Sequence, residues 1–368
     1  MLSSQKQKLR VGVIGAGAFA EACHIPGLQS HPHAEVVAVY GRSRDRAQAL
    51  ANRFHIPHIY TDYQELCRRD DLDAITIVTP NAQHARQALA GLASGKHVFC
   101  EKPLAMSVEA AREMVCAAEA SGKIHQVAFT YRYLYGIQEL RRRILRGDIG
   151  SPYYLRIQWE CWDAMASEYK IGFRDKLDMA GGGVLYDMGS HLSDLARFIL
   201  GPIEAIAGFV QFVPRQRIDS RTGRVSNVET DDIAAAWFIS EGGVRGHWFA
   251  SRVTPTSDEK AYVEVVGSEG AVRATLSRGS VDILKVSSPK RPVWEELPLP
   301  EEAQDKQPHS LGIMMRSFVD ACLRGRLNND VDASFHGFLR VRGRRLRNRC
   351  PQARVLGRRP RPARHGDA

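Results

Sequence analysis

The turn after the first apolar run limits the fold of this chain more than any other feature. Val11-Gly12-Val13-Ile14 runs directly into Gly15-Ala16-Gly17-Ala18-Phe19-Ala20. A strand that ends on Gly-x-Gly-x-x-Ala and opens a helix aims unpaired backbone N–H groups at whatever lies in front of that helix. Gly15 permits the tight turn, Gly17 lets the backbone approach a pyrophosphate, and Ala20 fills the small-residue place where helix meets strand. Ala16 and Phe19 belong to the same loop and join them as candidate cofactor contacts. The pattern alone is modest, and its context gives it weight. Apolar runs at 35–40, 74–78, 97–100 and 125–129 alternate with helical stretches at 43–54, 82–94 and 107–121. Ser43 and Ser107 stand where N-caps belong, and Gly95 and Gly122 fall just past helix ends. Repeated βαβ units with continuous apolar strands mean a buried parallel sheet. Residues 1–130 are expected to form a Rossmann dinucleotide-binding domain.

The rhythm changes after Gly150. Residues 152–161 read as a strand rich in Tyr, Ile and Trp, followed by a loop, Gly181-Gly182-Gly183 and a helix to about Leu200. Strand then follows strand to about Pro300, with turns at 221–224, 241–243 and 267–270, and residues 310–323 suit a late helix. The fold class expected is therefore α/β. A doubly wound parallel sheet comes first, and an α+β domain with a large, mostly antiparallel open sheet occupies 131–339. A length of 368 residues suits two domains.

The second strand ends in Tyr40-Gly41-Arg42-Ser43-Arg44, where an NAD site usually carries an acid for the ribose 2′-hydroxyl. The next acid, Asp45, falls in the first helical turn, where it serves the helix dipole. A guanidinium fork and a hydroxyl suit a 2′-phosphate, so NADP(H) is favoured over NAD(H), with Gly41, Arg42 and Ser43 as contacts. An aspartate in place of Gly41 is expected to turn the preference towards NAD(H).

The formal charge of +10 invites a nucleic-acid reading. Eleven Arg and one acid, Asp367, lie in residues 340–368; without them 40 basic and 40 acidic residues remain. The body is neutral and holds no nucleic-acid motif, so no specific nucleic-acid partner is expected. The Arg-rich tail is expected to be disordered, and from about Gly337 its composition buries too little apolar surface to pack. Residues 1–10 are polar and basic, unlike a signal peptide, and no window is long and apolar enough to span a membrane. Seven cysteines without a C-x-x-C pair favour neither zinc nor a disulfide framework, so a reducing cytoplasm is the expected location and no metal site is expected.

Four segments carry a resemblance: Val78-Thr79-Pro80-Asn81-Ala82-Gln83-His84, Gly95 to Leu104 with Glu101-Lys102-Pro103 at its centre, Tyr131-Arg132-Tyr133, and Gly181 to His191. In this order and spacing, from about residue 9 to 335, the chain resembles the glucose–fructose oxidoreductase/inositol dehydrogenase/rhizopine catabolism (Gfo/Idh/MocA) superfamily. The resemblance implies reversible hydride transfer at a carbinol carbon of a sugar, cyclitol or related polyhydroxylated compound. It implies Lys102, Asp187 and His191 as catalytic residues. Thr79, Pro80, Asn81, His84, Glu101, Lys102 and Arg132 match positions near the cofactor. It also implies a homo-oligomer through the open sheet of the second domain. Residue chemistry agrees. Asp187 and His191 are four apart and share a helix face, with the imidazole suited to take a hydroxyl proton and the carboxylate to orient it. Lys102, just past a strand end, can polarise the substrate oxygen. A polar contact and a helix cap would also account for Asp187 and His191. His24 is expected to be a packed or surface histidine, and Trp159 and Trp162 suit either a sugar pocket or the core. A second reading, a non-catalytic NAD(P)-sensing regulatory protein, needs the cleft but not the Lys102–Asp187–His191 set.

Overall fold

A computed structural model describes residues 8–255, 261–276, 284–298, 310–328 and 331–335. The expected Arg-rich tail and the boundary at residue 339 lie outside the described residues. The first sheet comprises β1 (Leu9–Ile14), β2 (Ala34–Tyr40), β3 (His58–Tyr60), β4 (Ala74–Ile77), β5 (His97–Cys100) and β6 (His125–Val127). Its strands lie in the order β3-β2-β1-β4-β5-β6, and every pairing is parallel. The order in which strands are added reverses between β1 and β4, which opens a crevice at their carboxyl ends, where a ligand of a doubly wound sheet binds. Ser43 caps the helix Arg44–Phe54 by accepting from Arg46 N–H, and Ser107 caps Val108–Ser121 by accepting from Ala110 N–H. Gly122 closes that second helix in the left-handed region.

The second sheet comprises β7 (Pro152–Glu160), β8 (Ile203–Gln211), β11 (Ile233–Ser240), β12 (Arg245–Ser251), β13 (Ala261–Gly267), β14 (Gly270–Thr275), β15 (Leu284–Ser288) and β16 (Arg291–Leu297). The order is β16-β15-β14-β13-β7-β12-β11-β8, antiparallel except for the parallel pair β7–β12. One face buries Leu155, Ile157, Phe238, Trp248, Val263 and Val265 against the helices Tyr135–Arg146 and Ser190–Leu200. A separate hairpin, β9 (Gln216–Ile218) with β10 (Val225–Asn227), turns at Gly223 and reaches back over the crevice.

The late helix Ser310–Arg324 packs elsewhere than the sequence division placed it. Met314, Met315 and Phe318 share a core with Val11, Leu28 and Phe99, so this helix completes the first domain. The segment after it follows, because Ala333 O accepts from Val127 N–H and Phe335 N–H donates to His125 Nδ1. An amphipathic pattern fixes a helix's apolar face but not its partner. Among the described residues no helix is long and apolar enough to cross a membrane.

Candidate active site

A cleft of about 1670 Å³ lies between the carboxyl ends of β1 and β4 and the second domain. Gly15, Ala16, Gly17 and Phe19 form its floor on the first side. Gly15 adopts φ +135°, and a Cβ there would lie 2.6 Å from Val78 O, so only glycine fits. Gly17 has nothing within 4 Å of where a Cβ would stand: the space in front of it is open. No side chain caps this helix start, and Gly17, Ala18 and Phe19, which open it, line the cleft. That is the donor set a pyrophosphate needs. Ala20 is buried behind the loop, at the helix–strand contact.

Past the end of β2 the cleft is lined by Gly41, Arg42, Ser43 and Arg46, with Arg86 opposite from the helix His84–Ala93. None of these three arginines is ion-paired among the described residues. Arg46 and Arg86 were missed in the sequence because neither belongs to a motif. A Cβ on Gly41 would stand 2.8 Å from Ala16 Cβ and 3.1 Å from Ala47 Cβ. Gly41→Asp would therefore displace the glycine loop itself and cannot serve as a clean cofactor switch, contrary to the expectation above.

Thr79, Pro80 and Asn81 follow β4 and line the same cleft. Thr79 donates to Gln87 Oε1 at 2.6 Å, and Asn81 Nδ2 donates to Ala180 O at 2.8 Å across to the second domain. His84 does not line it. Its ring is fully buried with Nδ1 2.8 Å from Pro103 O and Nε2 2.8 Å from Thr79 O, so it braces the loops after β4 and β5. Burial, outweighing both carbonyls, pushes its pKa down. Arg132 does not line the cleft either. Its guanidinium grips Asp194 with Nε at 2.7 Å and Nη2 at 2.5 Å. Both residues sit inside matching segments but spend their polar atoms on the protein. His24 is buried, as the packed reading expected, and its Nε2 lies 3.0 Å from Glu101 Oε1, with Glu101 lining the cleft.

Lys102, Asp187 and His191 come together at the junction of the two domains. Lys102 Nζ donates to Asp187 Oδ1 at 2.5 Å and to Asp187 O at 2.8 Å. Arg174 Nε stands 3.3 Å from the same Oδ1. Loss of water pushes the Asp187 carboxyl up, but Lys102 and then Arg174 hold it well below the usual carboxylate range. The carboxylate thus serves two cations, Lys102 and then Arg174, before the imidazole of His191. Asp187 lies in a π-helical turn, Leu185–Gly189, that leads into Ser190–Leu200; an i,i+4 pattern cannot tell this turn from an α-helix. His191 is buried edge-on to Tyr131 at 4.8 Å between ring centres, with Trp159 at 6.1 Å. Trp159 therefore packs beside the site, while Trp162 is exposed.

Asp231 was missed by the sequence reading. Its carboxylate accepts from Gly183 N–H at 2.7 Å and Leu185 N–H at 2.8 Å, holding the turn that carries Asp187. A Cβ on Gly183 would fall 1.9 Å from Asp231 O, which explains the third glycine of the run. Asp231 lies far along the chain from Gly183, so no local pattern announces the contact.

Comparison with known proteins agrees with this architecture. Residues 9–129 match the family described as the oxidoreductase family, NAD-binding Rossmann fold, and residues 137–273 match the GFO/IDH/MocA C-terminal domain. The chain belongs to the Gfo/Idh/MocA oxidoreductase family. It is 36% identical over 200 residues to 1,5-anhydro-D-fructose reductase of Ensifer adhaerens, covering 54% of this chain and 59% of that one. It is 33% identical over 199 residues to D-glucoside 3-dehydrogenase of Escherichia coli, covering 52% and 54%. The chain thus spans little more than half the length of these relatives. A levoglucosan dehydrogenase solved with NADH and L-sorbose has the same fold, with a TM-score of 0.81 at 23% identity over 90% of this chain and 93% of that one.

Proposed function

We propose that this member of the family is an NADP(H)-dependent dehydrogenase or reductase of a sugar, cyclitol or related polyhydroxylated compound. The observation that carries the reading is the Lys102–Asp187 pair, with His191 beside it, in the same cleft as the open glycine turn. A nicotinamide dinucleotide fits that turn, since Gly17 leaves room where any Cβ would intrude, and when bound it supplies the hydride acceptor or donor. The protein's part is positioning and proton handling. In the oxidation direction His191 takes the carbinol proton. Lys102, neutralised in part by Asp187, holds the reacting oxygen and polarises it. Asp187 stays ionised, so it fixes Lys102 without competing for the proton.

The NADP(H) preference rests on Arg42, Ser43, Arg46 and Arg86, a cationic wall with no carboxylate on Gly41. The open sheet face supports a homo-oligomer. Phe209 is 58% exposed and Trp237 59% exposed, on the same side as Ile239 and His247. A contiguous apolar surface of this kind marks a protein contact. Trp237→Asp should then yield monomers by light scattering. Function is tested by screening sugars and cyclitols with both cofactors, following absorbance at the nicotinamide band. Turnover with NADP(H) supports the proposal. Tight cofactor binding without turnover of any substrate would instead make the chain a sensor.

A further inference from the structure

Beyond its ion pair with Asp187, Arg174 takes no part in the proton transfer, yet its geometry is that of a built site. It stands in the turn Phe173–Asp175 on the second-domain wall of the cleft. Its backbone is fixed: Thr230 Oγ1 donates to Arg174 O at 2.9 Å, and the buried Asp175 carboxylate accepts from Gly172 N–H at 2.9 Å and from Arg252 Nη1 at 2.9 Å. Its guanidinium lies over the Phe173 ring at 4.7 Å, and its Nε meets Asp187 Oδ1. A surface arginine does not normally have its backbone, its stacking face and one nitrogen all committed. The Nη1–Nη2 edge has no partner among the described residues, and the side chain is 53% exposed, into the cleft.

We propose that Arg174 is a specificity residue whose Nη edge binds two neighbouring oxygens of the substrate, next to the carbinol that Lys102 holds. This rests on the function proposed above and deepens it. Lys102 and Arg174 share one carboxylate oxygen and both line the cleft, so a single polyhydroxylated ligand can span the two cations. A guanidinium edge presents two parallel N–H donors and matches a pair of oxygens, not one. The pair can be a vicinal diol of a neutral sugar or the carboxylate of a sugar acid. Lys102 and Arg174 together exceed Asp187 by one positive charge, which leaves room for either. A substrate lacking the second oxygen would leave the fork unpaired and bind worse.

The test reads binding apart from turnover. NADPH-loaded protein, in which an alcohol cannot be oxidised, is titrated with D-glucose, its monodeoxy analogues and D-gluconate, following cofactor fluorescence. For the native chain one monodeoxy analogue should bind about tenfold or more weakly than its parent. Arg174→Lys, which keeps the charge beside Asp187 but loses the fork, should erase that difference. Arg174→Lys weakening gluconate alone assigns the carboxylate; weakening glucose as well assigns the diol. The proposal is overturned if the ratio of parent to deoxy affinity and the affinity for D-gluconate are both the same in Arg174→Lys and the native chain, or if no probe binds. Intact binding with no turnover of any substrate would sink the dehydrogenase reading and leave the Arg174 assignment standing.

Discussion

Two glycine-rich turns open helices onto the same cleft, and they are used in opposite ways. At Gly15–Gly17 no side chain caps the helix, the space ahead is empty, and the backbone itself is offered to a ligand. At Gly183–Leu185 the first N–H groups are already taken by the buried carboxylate of Asp231, so that helix offers only side chains, Asp187 and His191. The positive end of a helix attracts an anion wherever it is open. Plugging the second one with a protein carboxylate leaves, of these two turns, only Gly15–Gly17 open to an anion. A Cβ at position 17 would meet open space; one at 183 would meet the backbone of Asp231.

The largest effect should come from the side chains at the plugged end. His191→Ala should lower turnover by roughly 100- to 10,000-fold while cofactor affinity stays nearly unchanged, as read by steady-state rates beside a cofactor titration. Next is the plug. Asp231→Ala strands two backbone N–H groups and should cost about 2–4 kcal/mol in chemical denaturation. Asp231→Asn, which keeps one acceptor, should recover part of that loss, and its turnover should fall further than its cofactor binding. At the open end, Arg42→Ala should weaken NADP(H) by about 1.5–3 kcal/mol and leave NAD(H) almost untouched. Equal dissociation constants for the two cofactors in the native chain would remove the case for a 2′-phosphate site. The smallest effects come from a matched pair. Gly183→Ala should destabilise by about 1–3 kcal/mol through overpacking against Asp231. Gly17→Ala should leave the melting temperature nearly unchanged and weaken the cofactor alone. If both alanines acted alike on stability, the contrast between the two turns would be wrong.

Much of this was legible in the chain, for reasons that differ by residue. Strands β1, β2, β4 and β5 are mostly apolar because both faces of a parallel sheet are covered, and Ser43 and Ser107 cap by local geometry alone. The edge strand His58–Tyr60 was not legible, since three partly exposed residues carry no pattern. Motif neighbourhood overreached at His84 and Arg132. Both lie in segments that reach the site, but burial gave their polar atoms protein partners instead. Asp231 and Arg174 went unseen for the converse reason. Their contacts depend on the hairpin region folding back over the cleft, which no local spacing encodes.

The proposed reaction is direct hydride exchange between a carbinol carbon and a cofactor seated at the open turn. The measurement that reaches this most directly uses a turned-over sugar or cyclitol carrying deuterium on the reacting carbon, with NADP+ and the native chain. One deuterium should appear in the nicotinamide ring of the reduced cofactor, with the transfer lost in His191→Ala. A reduced cofactor without deuterium, or no reduction while NADP(H) still binds, would contradict it.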